Sequence, residues 1–168
     1  KQTIQRGEKP TQALKSRGIE YIEMRCVDLN PFTPIGIDSA TAHFLEVFAL
    51  HSLLSDSPHF EAAEYAELAV RQEQMVEQGR KPDLHIDINA SATDFKASAL
   101  RLMAEMQQVA LVLDEAHNTT RYSASMTAQI AKIEHPEQTY AAQVLVEMEK
   151  HDNNFFAFGN AIAEQHRD

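Results

Sequence analysis

Glu23 and Arg25 stand two residues apart in the stretch Gly18-Ile-Glu-Tyr-Ile-Glu-Met-Arg-Cys-Val-Asp-Leu-Asn-Pro-Phe-Thr-Pro-Ile-Gly-Ile37. Successive side chains of an extended chain point to opposite sides, so this spacing puts Glu23, Arg25 and Tyr21 on one face and Ile22, Met24 and Cys26 on the other. The apolar face is one that packs. The opposite face carries a carboxylate beside a guanidinium, the pairing that a magnesium–phosphate site uses. The carboxylate is a hard oxygen donor for the cation, and the guanidinium is a planar fork for phosphate oxygens. An exposed strand also carries such pairs toward solvent, where they contribute little. On spacing alone both readings stand.

The neighbouring polar residues have plainer roles. Glu20 reads as a solvated residue at the strand's start. Asp28 and Asn30 read as turn-formers through side chain–backbone bonds, or as supports for the charged pair. Cys26, on the core face, reads as a small hydrophobe without redox chemistry. Gly79-Arg80-Lys81-Pro82 reads as a helix stop: glycine in the left-handed region, cations at the negative end of the dipole, proline preventing continuation. For Arg80 a contact with substrate or with a further region stays open. The 8 histidines recur at no ligand spacing, so no transition-metal site is expected.

These residues need elements to position them. Pro10 opens a short helix to about Lys15, stopped by Gly18. A strand follows over Ile19–Val27, then a turn-rich crossing marked by Asn30, Pro31, Pro34 and Gly36. Asp38 is the N-cap of a helix to about Leu54 with Phe44, Leu45, Phe48 and Leu53 as its stripe. A second helix spans Glu61–Gln78, and a short alternating run at Leu84, Ile86 and Ile88 predicts a small strand. The clearest periodicity is Phe95, Ala99, Leu102, Met106, Ala110 and Leu113, a helix over Thr93–Ala116. Three shorter helices fit Tyr122–Ile133, Pro136–Glu149 and Phe155–Gln165. Their stripes are Tyr122/Met126/Ile130/Ile133, Tyr140/Val144/Leu145/Met148 and Phe155/Phe158/Ile162. The class is α+β and helix-dominated: one or two strands followed by a helical bundle. A lone strand cannot satisfy its own edges, so the first one predicts a partner outside the recognisable elements.

Length and composition narrow the rest. The chain has 168 residues, enough for a buried core, and a formal net charge of −10 that argues against general nucleic-acid binding. No apolar run approaches the roughly 18 residues of a membrane span, no secretory signal opens the chain, and a single cysteine suits a reducing compartment. A cytoplasmic protein without membrane or nucleic-acid partners is the expectation. The missing initiating methionine adds a second hint that a longer protein is involved.

Gly18-Ile-Glu-Tyr-Ile-Glu-Met-Arg, continuing as Asp28-Leu-Asn-Pro-Phe and Pro34-Ile-Gly, closely resembles the bacterial type of glutamate–cysteine ligase. Gly7-Glu-Lys-Pro, Gly79-Arg-Lys-Pro and Tyr140-Ala-Ala-Gln-Val-Leu match in order, so the resemblance covers most of the chain and is closest over 7–37. It implies a C-terminal segment of a longer ligase, with residues 1–37 as active-site strand and loop and 38–168 as the helical region. The implied fold is similar to that of glutamine synthetase, with this segment lending a strand to the active-site sheet. The implied reaction is ATP-dependent joining of the γ-carboxylate of glutamate to the amine of cysteine through a γ-glutamyl phosphate, the first step of glutathione synthesis. Glu23 matches the position of a magnesium ligand, and Arg25 that of the catalytic phosphate contact on ATP. By itself the segment is then expected to be inactive, its missing N-terminal region being the partner. The competing class is a non-enzymatic helical interaction or structural module that keeps the ligase fold's tail.

Overall fold

The computed structural model describes residues 1–25, 27–59, 61–88 and 91–167. Its elements in chain order are α1 (Pro10–Arg17), α2 (Ser39–Leu54), α3 (Ala62–Gln78), β1 (His85–Ile88), β2 (Ser91–Asp94), α4 (Phe95–His117), α5 (Arg121–Glu134), a 3₁₀ turn (Pro136–Gln138), α6 (Tyr140–Glu149) and α7 (Phe155–Gln165). The expected helix-dominated α+β class is what forms.

Most helices begin where a short polar side chain takes up a free backbone donor. The carboxylate of Asp38 accepts from Thr41 N at 2.6 Å, Asp94 from Ala97 N at 3.1 Å, and Asn154 from Ala157 N at 3.1 Å. Pro10 opens α1, and Gly18 closes it at φ +76°. The α4–α5 elbow is tied from inside. Asn118 takes the left-handed conformation at φ 49°, and the buried Asp114 of α4 accepts Tyr122 N at 2.9 Å and Ser123 N at 3.0 Å. That carboxylate therefore satisfies the first free donors of α5 and fixes the turn between two antiparallel helices.

Three helices make the core. Val47 of α2, Met103, Met106 and Ala110 of α4, and Tyr122 and Met126 of α5 form one buried cluster, flanked by Phe44, Val109, Leu113, Ile130 and Ile133. Val47, Met106 and Met126 are wholly buried. Two partly buried contacts hold the helices in register: Ser125 Oγ donates to Ala40 O, and Tyr122 Oη donates to Glu46 at 3.0 Å. Strands β1 and β2 pair antiparallel, from His85 opposite Asp94 to Ile88 opposite Ser91, and α3 leans on β1.

Several expectations are corrected here. Residues 19–25 and 27 form no strand: among the described residues the sheet consists of β1 and β2 alone. A strand exists only with a partner ladder, and beyond the backbone bonds of Glu20 and Tyr21 to Lys1 the described residues give this run none. Its apolar face is therefore not packed, with Ile22 66% and Met24 40% exposed. Cys26 lies outside the described residues. A second strand, β2, takes the residues just before Phe95, so α4 starts two residues later than the periodicity suggests. Gly79 has φ −55° and not a left-handed conformation. Its lack of a side chain matters for another reason, since a Cβ there would stand 2.6 Å from Met75 O. The stripes also rotate slightly: Val47 and not Leu53 enters the core, Met103 is more buried than Leu102, and Phe155 stays exposed.

Candidate functional site

Glu23 and Arg25 do come together. Arg25 Nη2 donates to Glu23 Oε2 at 2.8 Å, and Lys1 Nζ pairs with the same carboxylate oxygen. Lys1 first, then Arg25, hold the Glu23 carboxyl below the usual carboxylate range, so it is ionised at neutral pH. Glu23 in turn raises the Lys1 ammonium. Both members of the pair face solvent, and their mutual attraction adds little to stability.

The segment is held from its N-terminal side. Glu20 N and Tyr21 N donate to Lys1 O at 2.9 and 3.2 Å, and Lys1 N donates to Tyr21 O. Glu20, expected to be merely solvated, accepts Thr3 N at 2.9 Å and Thr3 Oγ1 at 2.6 Å. Arg17 reaches Thr3 O at 2.8 Å and Glu8 at 2.7 and 2.9 Å, fastening α1 to the same strip. Tyr21 is half exposed beside the pair. On the other side Asn30 is a turn-former as expected, its Oδ1 accepting Phe32 N at 3.0 Å, while Asp28 is exposed.

By itself the pair is an exposed guanidinium beside a carboxylate. Magnesium takes about six oxygen ligands, and Glu23 supplies one carboxylate whose hard oxygens suit the ion. Among the described residues no group of three His, Cys, Asp or Glu side chains is placed to hold a metal. The chain thus offers a fitting donor but not a complete cage. The concave features lie elsewhere. A polar cavity of about 380 Å³ is lined by His43, His117, Arg121 and Tyr122 among others, and a groove of about 520 Å³ runs between Arg80, Pro82 and α6. Neither includes any residue of 19–29, and Arg80 belongs to the groove.

Sequence reasoning missed how much converges on Asp38, which it read only as an N-cap. Besides Thr41 N, this carboxylate accepts Asn30 Nδ2 at 3.0 Å and Tyr140 Oη at 2.5 Å. Burial pushes its carboxyl up, but the bonds from Tyr140, Thr41 and Asn30 outweigh that and bring it to about 2. The signal available in the sequence was the polar Asn30 and Asp38 bracketing a proline-rich loop. Nothing local pointed to Tyr140, 102 residues from Asp38.

Comparison with known proteins now has a geometry to address. Residues 1–75, which include the charged pair, match the family model described as glutamate-cysteine ligase. The glutamate–cysteine ligase of Pseudomonas fluorescens is 38% identical over 160 residues, covering 95% of this chain and 30% of that protein. That of Alcanivorax borkumensis is 36% identical over 168 residues, covering 100% of this chain and 32% of the relative. A crystal structure of the Francisella tularensis glutamate–cysteine ligase in complex with AMP superimposes with a TM-score of 0.85 at 29% identity, covering 100% of this chain and 34% of that one. The chain spans about a third of the length of the curated relatives it matches. No helix of the described residues is long and apolar enough to cross a membrane. Sequence and fold agree along the whole chain in their similarity to glutamate–cysteine ligases.

Proposed function

We propose that this chain is the C-terminal part of an ATP-dependent glutamate–cysteine ligase, with residues 1–37 contributing the active-site strand and loop and residues 38–168 the helical body. The observation that carries this reading is the segment from Ile19 to Leu29. It bears the residues that match the ligases, and its described residues are exposed on both faces, with Ile19 73%, Ile22 66% and Leu29 71% accessible. An apolar-and-charged run of this kind is what a strand looks like before its sheet is supplied. AMP in the Francisella tularensis relative supports nucleotide binding by the same fold.

The substrates would be glutamate, cysteine and ATP. The γ-carboxylate of glutamate attacks the γ-phosphorus of ATP, ADP leaves, and the cysteine amine then displaces phosphate to form the amide. Such phosphoryl transfer depends mainly on positioning and charge neutralisation. Arg25 would hold phosphate oxygens through its guanidinium fork, with Glu23 freed from it to face the nucleotide's magnesium. That ion supplies charge neutralisation on the phosphates when bound. The chain's own part is to present one cation and one carboxylate on the same edge. The single cysteine suits the reducing setting of a cytoplasmic enzyme.

The test is γ-glutamylcysteine formation by this segment co-expressed with the region that its relatives carry upstream. Activity that collapses in Glu23→Gln supports the ligase site. A folded wild-type pair without ATP-, glutamate- and cysteine-dependent product refutes it and favours a non-enzymatic module that retains the fold.

A further inference from the structure

We infer that Asn30, Asp38 and Tyr140 form a latch that sets where the Glu23–Arg25 segment sits on the helical body; this rests on the function proposed above. Among the described residues, every hydrogen bond of residues 1–25 stays within residues 1–25. The charged pair is therefore not fastened to the bundle by hydrogen bonds of its own. The connection is made just downstream, in the loop that follows.

That loop is closed on itself. Asn30 N donates to Gly36 O at 2.8 Å, Thr33 N and Thr33 Oγ1 donate to Asn30 O at 3.3 and 3.1 Å, and Phe32 N donates to Asn30 Oδ1 at 3.0 Å. Gly36 has φ +75°, and a Cβ there would stand 2.5 Å from Leu29 Cδ1, so the loop closes tightly on Leu29. The outward link is the remaining group of the buried Asn30 side chain, Nδ2, which donates to Asp38 Oδ2 at 3.0 Å. The same oxygen accepts Tyr140 Oη at 2.5 Å, while Oδ1 caps α2 at Thr41 N. Tyr140 is itself held: its hydroxyl is 3.3 Å from Thr41 Oγ1, and Lys132 Nζ lies 3.9 Å over its ring. One carboxylate thus joins the loop, the start of α2, the start of α6 and, through Lys132, α5.

Arg25 is five residues from Asn30, which an extended chain spans in at most about 18 Å. Over so short a tether, a shift of the loop is passed on to the pair. These are positioning residues: none touches the phosphates in the proposed reaction. The arrangement also needs opposite partners, an amide donor at position 30 and an acceptor at position 38. Exchanging them preserves the pattern. A carboxylate at position 30 would accept from Phe32 N and from a side-chain amide at position 38. The oxygen of that amide would still cap α2, and Tyr140 would turn its hydrogen to Thr41.

The experiment compares Asn30→Asp with the exchange N30D/D38N. Hydrogen exchange is read at the Phe32 and Thr33 amides of the 168-residue chain. In Asn30→Asp, two carboxylates oppose each other, and these amides should exchange at least about ten-fold faster while α4 amides do not change. The double variant should return them. In the full-length ligase that carries this segment, KM for ATP should rise about ten-fold in Asn30→Asp and recover in the double variant. A merely structural role would lower kcat through the folded fraction and leave KM for ATP alone. Should Asn30→Asp not fold, Tyr140→Phe removes one hydroxyl and carries the same comparison. Unchanged amide exchange, or faster exchange with unchanged KM for ATP, overturns the latch. A Glu23→Gln enzyme that keeps its activity refutes the proposed site instead, and the exchange data still decide the latch.

Discussion

Met126→Ala tests whether the α2–α4–α5 cluster is a close-packed core that holds this segment together. Met126 has no exposed surface and lies in the same cluster as Met106 and Tyr122. Truncation removes three heavy atoms beyond Cβ, a transfer loss of about 2.4 kcal/mol at roughly 0.8 kcal/mol per methylene-sized group. The cavity left among α2, α4 and α5 adds to this and brings the cost to about 3 kcal/mol, within the range for buried Met→Ala. Urea unfolding of the 168-residue chain, followed by circular dichroism, is the assay. With a slope of about 2 kcal/mol per molar, the midpoint should fall by about 1.5 M. Leu53→Ala is the control: Leu53 belongs to the stripe that periodicity places in the core, yet it is 79% exposed. Its midpoint should move by no more than about 0.25 M. A Met126→Ala shift as small as the control's, or a Leu53→Ala shift as large as the core variant's, would refute the reasoning.

If the proposed function holds, Arg25→Ala and Glu23→Gln in the full-length protein should each lower kcat/KM for γ-glutamylcysteine formation by roughly 10²–10³-fold, the cost of losing one charge-stabilising group. Asp38 should titrate at about 2 in carboxyl-detected NMR. Its depressed pKa means that its contribution is fully present above the unfolded value of 3.8 and is lost as pH falls through about 2. Taken whole, such a shift is about 2.4 kcal/mol, and solvent screening of this partly buried carboxylate reduces it to about 1 kcal/mol. An Asp38 resonance titrating near 3.8 would remove that contribution. Gly79→Ala should destabilise by about 1 kcal/mol although alanine is the better helix former, because its Cβ meets Met75 O at 2.6 Å. Thermal melts compare it with wild type, and a higher melting temperature would show that the carbonyl yields.

Helices α1, α2, α4 and α7 were legible because their signals are local. Pro10 and Gly18 bracket one, Asp38 starts another, and a three–four apolar repeat runs along α4. Element β2 was not, since Ser91–Asp94 has no alternation to read and is a strand only because β1 lies beside it. On α2, α4 and α5 the buried side was read to within a residue or two, whereas no residue of α3 is buried. Leu53 and Leu102 gave way to Val47 and Met103 because the burying face is set by where α5 crosses, not by where leucines lie.

The charged pair shows the same division. Alternation in Tyr21–Arg25 was enough to set Glu23 and Arg25 together, since neighbours two apart on an extended chain share a face whatever else the chain does. The resemblance to glutamate–cysteine ligases rests on more than alternation, on Gly18-Ile-Glu-Tyr-Ile-Glu-Met-Arg together with Asp28-Leu-Asn-Pro-Phe and Pro34-Ile-Gly. The tertiary structure decided how the segment is held: Lys1 on Glu23 from one side, and Asn30, Asp38 and Tyr140 from the other. Hydrogen bonds between residues 102 apart depend on how helices cross, and crossing geometry comes from the packing of the whole bundle, which no local run of residues encodes.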